Sequence, residues 1–339
     1  MADVLFFRHR RQRRFRRIDL QTNGLDDDEL RRRYRFSAQS LDRLVDLLDP
    51  ILRRQTRRNR SLSTRQQILI TLRFLATGNF LQVIGDTFGV DIATVSRVIT
   101  AVVDAFFGLK DRFIKFPTSD EDRCRATNDF FRVREFPSVI GCIDGTHIRL
   151  LSPGQPDEAA YVNRKHYHSI NVHATCDRDG NFTSMNACWP GSCHDAHVFR
   201  MSNVGRHLDA NHQDPGRGWL LGDSGYPCRP FLMTPILHPR NEAEERYNQA
   251  HISTRNIIER CFGVWKRTFH ILHVEIRMKP AKVTRIVLAC AVLHNMRRMW
   301  GEPNPDVQDD LDEQPDVQNF DGPMDGRGVR NRLIEQYFV

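Results

Sequence analysis

Apolar residues in the first quarter of the chain recur at the spacing of a helix. Between residues 26 and 50 most of them stand three or four positions apart, which predicts amphipathic helix. Another helix is predicted over 62–77, where Ser61 or Ser63 is placed to cap the first turn and Gly78 to end the last. A cluster of five arginines separates the two helical segments.

Residues 80–107 are predicted to form a helix, a tight turn and a second helix. The apolar positions of the two helices are Leu81, Val83, Ile84, Phe88, Val95, Val98, Ile99 and Val102. Gly89 opens the turn, and Asp91 or Thr94 caps the second helix. In a helix-turn-helix, that second helix would present Thr94, Ser96 and Arg97 to a DNA major groove. An ordinary helical hairpin in a bundle has the same pattern.

Near residue 136 the pattern changes to short apolar runs, which predict strands. The run 139–143 is closed by an Asp-Gly pair, and the run 219–221 ends in Gly-Asp-Ser-Gly. Between them, two strands are predicted around the Asp-Gly turn at 179–180, and a helix from Asp195.

The last hundred residues contain two further predicted helices. Residues 238–256 are predicted to be a polar excursion, followed by a strongly amphipathic helix over 256–272. A last apolar helix is predicted over 282–298. The Pro- and Asp-rich composition from residue 301 predicts a mostly disordered tail.

Composition excludes membrane-spanning and secreted disulfide-rich classes. The 339 residues are 40% hydrophobic, which is enough for a core. No apolar run reaches the length of about 18 residues that a membrane helix needs. The N-terminus lacks the features of a secretory signal. Eight cysteines without framework spacing predict free thiols in a reducing compartment.

Charge is unevenly distributed along the chain. Residues 1–60 hold 17 Arg against 9 Asp and Glu, a difference equal to the whole net charge of +8. Residues 302–325 contain nine acidic residues and no Lys or Arg. A basic head predicts a nucleic-acid partner. The predicted DNA contacts there are Arg10, Arg11, Arg13, Arg14, Arg53, Arg54, Arg57 and Arg58. A nuclear import signal and a solvated arm remain alternatives for the run at 8–17.

Three carboxylates stand in an informative order. Asp144 and Asp223 each close an apolar run, and Glu259 lies beside the apolar stripe of a predicted helix. A carboxylate in such a place is unfavourable unless a positive group meets it. Mg²⁺, or Mn²⁺ as its substitute, binds carboxylate oxygens, and two such cations promote phosphodiester hydrolysis. The order strand-Asp, strand-Asp, helix-Glu is that of a ribonuclease H-like core.

The fold class predicted is therefore an α/β ribonuclease H-like core preceded by an all-α helix-turn-helix region. The predicted boundaries are a basic disordered arm at 1–25, a helical DNA-binding region at 26–135, a nuclease domain at 136–300 and an acidic tail at 301–339. The predicted activity is metal-dependent hydrolysis of DNA, with Asp144, Asp223 and Glu259 as catalytic and metal-binding residues.

Six motifs carry a family resemblance that extends over the helical region and the whole 139–297 core. They are GCIDGTHI, YVNRK, WPGS, LLGDSGYP, LMTP and IIERCFGVWKRTF. With them the chain resembles the PIF/Harbinger transposases of the DDE superfamily, and most nearly the transposase-derived nucleases of that family. The resemblance implies a ribonuclease H-like fold and a DDE triad on Asp144, Asp223 and Glu259. It also implies that Asp195, after WPGS, is a fourth metal ligand; N-capping of a helix is the alternative.

Further expectations follow from the resemblance. It implies a Myb/SANT-like DNA-binding protein as partner and residence in the nucleus, with a cytoplasmic pool. Assembly into a homo-oligomer is left open. Strand transfer by a transposase, cleavage alone by a nuclease, and DNA binding or scaffolding without cleavage all stay open. An RNA-directed nuclease on the same core is a weaker alternative. The four residues Cys188, Cys193, His194 and His197 suggest zinc only weakly, because the spacing of the two histidines is too short for a structural site.

Overall fold

The computed structural model describes residues 24–53, 61–134, 136–212, 215–305 and 324–339. The first two described ranges are helical, with α1 (Asp27–Tyr34), α2 (Ala38–Leu52), α3 (Thr64–Thr77), α4 (Leu81–Phe88), α5 (Ile92–Gly108), α6 (Lys110–Phe113) and α7 (Asp120–Arg134). The strands are β1 (Val139–Arg149), β2 (Ser169–Cys176), β3 (Phe182–Pro190), β4 (Trp219–Leu221) and β5 (Leu232–Met233). Between and after them lie α8 (Glu158–Tyr161), α9 (Asp195–Met201), α10 (Asn203–Asn211), α11 (Glu242–Thr268), α12 (Pro280–Met299) and α13 (Met324–Tyr337). Short 3₁₀ turns stand at Pro215–Arg217 and His270–Leu272.

The N-terminal helices begin and end at residues that satisfy their backbone groups. Of the two candidate serines, Ser63 caps α3, in a reciprocal capping box with Gln66. Asp91 caps α5 by accepting a 2.9 Å hydrogen bond from the Thr94 amide. Gly89, at φ +64°, ends α4 in the left-handed conformation. The helix, turn and helix therefore lie where the sequence predicts them.

The five strands form one mixed sheet in the order β3-β2-β1-β4-β5. The pairs β1–β2 and β2–β3 are antiparallel, whereas β1–β4 and β4–β5 are parallel. Helices α11 and α12 pack on the sheet together with the N-terminal helices. A smaller apolar cluster joins α9 and α10 to β1, β4 and β5. This is the α/β arrangement predicted. No helix in the described part of the chain is long and apolar enough to cross a membrane.

Strand β1 is longer than predicted and passes through the first acid. Its antiparallel pairing with β2 runs from Cys142 opposite Cys176 to Arg149 opposite Ser169. Because this ladder keeps the backbone extended, Asp144 lies within the strand, and the prediction that it closes the strand is wrong. Of the two aspartates expected at strand ends, Asp144 therefore lies inside a strand, whereas Asp223 follows the end of β4.

Helix α11 also begins earlier than predicted, so the prediction of a polar excursion over 238–256 is wrong. Asn241 caps the helix by accepting a 2.9 Å bond from the Glu244 amide. Acidic residues in the first turn complement the helix dipole. Tyr247 and His251 are fully buried on its inner side. The polar composition of this stretch therefore belongs to the outer face of a long helix.

The C-terminal residues fold back onto the core. Helix α13 buries Val329, Leu333 and Ile334. The Phe338 ring lies 5.5 Å from that of Phe136 and 5.6 Å from that of Tyr247 on α11. The prediction of a mostly disordered tail is wrong for residues 324–337, because their apolar face packs against α11 and β5. Residues 306–323 lie outside the described residues.

A buried carboxylate ties the N-terminal helices to the end of α12. Glu302 accepts hydrogen bonds from the Ser37 amide at 2.9 Å, the Ser37 hydroxyl at 2.6 Å and Arg31 Nε at 2.9 Å. Its side chain is only 2% exposed. Although burial opposes ionisation, the hydrogen bonds from these residues lower the pKa of Glu302 to about 2. The ionised form therefore stabilises the fold.

Replacing Glu302 with Gln is expected to lower the free energy of unfolding by about 2 kcal/mol near pH 7, because three charge-assisted hydrogen bonds weaken. The folded pKa lies below the ordinary 4.5, so this contribution is present above pH 4.5 and is lost as the pH falls through about 2. Urea unfolding from neutral pH to about pH 3 should show the difference between variant and wild type shrinking. Gln at the exposed Glu335 is the control, and an unchanged difference at low pH would contradict the assignment.

Candidate active site

The parallel pairing of β1 and β4 brings two acids to the same edge of the sheet. In its register, Cys142 lies opposite Leu221. Asp144 and Asp223 each follow two residues after that pair, so the two carboxylates lie side by side. The Gly145 amide donates to Asp144 Oδ1 at 2.8 Å, and the Gly225 amide donates to Asp223 Oδ1 at 3.0 Å. One oxygen of each carboxylate is therefore fixed by backbone.

Asp195 joins this pair from the start of α9. Its carboxylate lies over Gly145, where a Cβ would come within 2.4 Å of Asp195 Oδ1. The Asn171 side-chain amide donates to the same oxygen at 2.7 Å. His194 is the N-cap residue of α9, and Asp195 follows it inside the helix. The alternative that Asp195 caps the helix is therefore wrong, because its carboxylate is held by Asn171 across the sheet.

Helix α11 supplies Glu259 and an arginine that the sequence did not single out. Arg255 stands one turn before Glu259, which places both side chains on the same face. Arg255 Nη1 lies 3.1 Å from Asp144 Oδ2, and Nη2 pairs with Glu259 Oε1. Arg255 is only 9% exposed. The i, i+4 spacing beside the buried Ile258 was the available signal for this residue.

Burial and neighbouring charges shift the pKa values of the three aspartates of the site. Burial raises the pKa of Asp144 to about 7; Arg255 opposes this shift, whereas the neighbouring Asp223 and Asp195 add to it. Burial is also the largest cause of the raised pKa of Asp195 and of Asp223. With the four acids of this cluster ionised, Arg255 faces Asp144, Glu259 and Asp223, and Arg164 faces Asp195.

This donor set fits a hard divalent cation in its chemistry, since Mg²⁺ prefers carboxylate oxygens and few protein ligands suffice. In the arrangement described, Arg255 spans Asp144 and Glu259. No three His, Cys, Asp or Glu side chains of the described ranges converge closely enough to hold a metal ion. The same finding gives no support to zinc at Cys188, Cys193, His194 and His197, whose side chains are also described.

Comparison with known proteins identifies the family. Residues 143–295, which contain all four acids, match a family model described as DDE superfamily endonuclease. "Putative nuclease HARBI1" of Homo sapiens is 33% identical over 341 residues, covering 97% of this chain and 95% of the relative. The chain belongs to the Harbinger-derived DDE nucleases. Its core is accordingly of the α/β ribonuclease H-like type, and its enzymatic class is that of a nuclease.

Relatives of this nuclease occur in other vertebrates and in plants. "Putative nuclease HARBI1" of Xenopus laevis is 33% identical over 291 residues, covering 85% of this chain and 82% of the relative. "Protein ALP1-like" of Arabidopsis thaliana is 27% identical over 276 residues, covering 77% and 65% respectively. No solved structure matches the chain. The predicted membership of the Harbinger family is therefore confirmed by sequence relatives alone.

Of the DNA contacts predicted for this Harbinger-derived nuclease, the described ones lie on α5 and at the end of α2. Arg97 is exposed on α5 and donates to Ala93 O and Thr94 Oγ1 on its own helix. Ser96 is half-buried beside it, and Arg53 lies exposed at the end of α2. The remaining predicted arginines are outside the described residues: Arg10, Arg11, Arg13, Arg14, Arg54, Arg57 and Arg58.

Proposed function

We propose that this nuclease is a metal-dependent DNA endonuclease whose catalytic residues are Asp144, Asp223 and Glu259, with Asp195 as a further metal-binding acid. The supporting observation is that Asp223 and Asp195 lie next to Asp144 at one edge of the sheet, and that Arg255 links Asp144 to Glu259 on α11. Such a concentration of buried carboxylates is unfavourable unless it binds cations. The family match over residues 143–295 supports an endonuclease.

The side chains of this site are held for ligand binding. Backbone amides bind Oδ1 of Asp144 and of Asp223, so that Oδ2 of each points away from that bond. Asn171 fixes the orientation of Asp195. A pair of Mg²⁺ ions, bound by these carboxylates, would activate the attacking water and stabilise the leaving oxygen. Buried surroundings exclude bulk water and strengthen every electrostatic contact with a phosphate.

Basic residues next to the acids support a nucleic-acid substrate. His147, three residues after Asp144 on β1, has its pKa lowered to about 4, first by burial and then by Lys266, Lys165 and Arg164. These three cations come from α11 and from the loop before β2 and lie near His147, and Arg164 also lies close enough to Asp195 to oppose the rise of its pKa. We place the DNA backbone there, because cations near a scissile phosphate both attract and position the strand.

The helical N-terminal region gives a second DNA surface in this proposal. Thr94, Ser96 and Arg97 at the start of α5 would enter a major groove, and the arginine-rich segments would bind phosphates. We further propose a nuclear location, a cytoplasmic pool and a Myb/SANT-like DNA-binding partner. If hydrolysis is followed by strand transfer, the protein is a transposase. If it is not, the protein is a nuclease only.

The proposal is tested by incubating the purified full-length protein with duplex DNA that carries short terminal inverted repeats. We expect nicking at low salt with Mg²⁺ or Mn²⁺ and none with a chelator, because cations complete the acid site. Low salt matters, since phosphate contacts weaken steeply as salt rises. DNA that is bound but uncut with either metal would instead support a DNA-binding or scaffold protein. Added RNA that competes fully would redirect the substrate assignment.

A further inference from the structure

Arg255 is a counter-ion of two acids of the site, Asp144 and Glu259. Its guanidinium uses Nη1 for Asp144 Oδ2 at 3.1 Å and Nη2 for Glu259 Oε1. It therefore binds the carboxylate oxygen of Asp144 that the Gly145 amide leaves open. The two carboxylates belong to different elements, β1 and α11, so that Arg255 links the sheet edge to the helix.

The surroundings explain why this arginine is charged and held. Its side chain is 11% exposed, and Asp223 adds a third attractive charge to those of Asp144 and Glu259. His251 stands one turn earlier on the same face of α11, and its buried ring bonds through Nε2 to the Met233 carbonyl. Removing water from a guanidinium is unfavourable unless carboxylates compensate for it. Asp144 and Glu259 supply that compensation.

One side of Arg255 is nevertheless open to movement. The Glu259 side chain is 38% exposed, so the Arg255–Glu259 pair lies at the mouth of the site. Solvent therefore screens the Glu259 side of this pair more than it screens the Asp144 side. A long, flexible arginine on the mouth side of a helix can leave such a pair without unfolding the helix.

We infer that Arg255 and a divalent cation compete for the same oxygens of Asp144 and Glu259, so that Arg255 is an internal brake on metal binding. This inference rests on the proposed metal-dependent function of the site. Its basis is that the Arg255 guanidinium binds the carboxylates of Asp144 and Glu259, which are the groups that these two residues would offer to the metal. The acids are kept neutralised and correctly placed, and metal binding requires the arginine to move.

Titration of the full-length protein with MnCl₂ by calorimetry tests the competition. Arg255→Gln is expected to lower the Kd for Mn²⁺ about tenfold or more, because a neighbouring Arg lowers the proton affinity of a carboxylate by about one to three powers of ten and opposes a cation in the same way. Arg260→Gln is the matched control, since Arg260 is exposed on the same helix; we expect its Kd to equal that of the wild type. Arg255→Lys, whose ammonium pairs with one carboxylate at a time, should lie between.

Thermal unfolding supplies a second measurement that does not depend on activity. In a chelator, Arg255→Gln should melt below the wild type, because Asp144 and Glu259 lose their counter-ion. Added Mn²⁺ should then raise its melting temperature by more than that of the wild type. A folded Arg255→Gln protein that binds Mn²⁺ equally or more weakly overturns the inference and makes Arg255 a positioning residue.

The remaining outcomes are also decisive. If Arg255→Gln does not fold, Arg255→Lys decides, and binding no tighter than wild type overturns the inference. Mn²⁺ binding by the variant but not by the wild type supports it. If neither protein binds Mn²⁺ and Asp144→Asn leaves DNA cleavage unchanged, the proposed metal-dependent function fails, and the inference fails with it. If the wild type binds Mn²⁺ and Asp144→Asn removes that binding, the proposed metal-dependent function is supported whatever the Arg255 variants show.

Discussion

Asp144→Asn is expected to reduce DNA cleavage by about 10³-fold or more while the protein remains folded. Asparagine keeps the size of the side chain, and its oxygen can still accept from the Gly145 amide. It removes the negative charge at the centre of the acid cluster, next to Asp223 and Asp195. Burial already disfavours the ionised carboxylate, which offsets part of the cost of taking one charged partner from Arg255, so the melting temperature should fall only modestly.

Single-turnover cleavage of a labelled inverted-repeat duplex measures this effect. Asp179→Asn is the matched control, since Asp179 is an exposed acid at the β2–β3 turn, far from β4 in the sheet order. The control should cleave at the wild-type rate, and both variants should bind DNA. Cleavage by Asp144→Asn within about tenfold of the wild type would place the catalytic acids elsewhere.

Gly145→Ala is expected to reduce the cleavage rate about 100-fold, because a displacement of about 1 Å in a catalytic group has that effect. The new Cβ would lie 2.4 Å from Asp195 Oδ1 and 2.6 Å from its Cγ. The carboxylate must rotate away, which is inexpensive for a side chain but removes it from Asp144. Stability should therefore change little while activity is lost.

A double-mutant cycle separates this cause from a general disturbance of β1. If Gly145→Ala acts through Asp195, adding Asp195→Asn should reduce cleavage little further than either change alone. Gly328→Ala on α13 is the control, since a Cβ there meets no atom within 4 Å. Fully additive losses in the cycle would show that Gly145 serves the strand and not Asp195.

Local patterns predicted much of this fold because their causes are local. Gly78 and Ser63 bound α3 through backbone geometry and capping that any helix requires. The pairing of Asp144 with Asp223 was predictable in outline, since both follow apolar runs that read as strands. The sequence did not predict that both aspartates lie two residues after the paired residues Cys142 and Leu221, because strand register depends on long-range pairing.

The errors share a physical origin in tertiary packing. Residues 242–256 look polar in sequence, yet their inner side is covered by the sheet and by α13. Residues 324–337 have too few apolar residues to form a core alone, and they fold because α11 offers a surface. Arg255 was missed because its two partners include Asp144, a residue 111 positions away.

The docking of residues 324–339 has a consequence for the rigidity of α11. Phe338 packs on Tyr247, and Arg246 Nε donates to the Phe338 carbonyl at 2.9 Å. Both partners lie on the helix that carries Glu259. Amide hydrogens exchange only when the contacts that cover a segment open. Exchange in the N-terminal half of α11 is therefore expected to stay slow for as long as α13 remains docked.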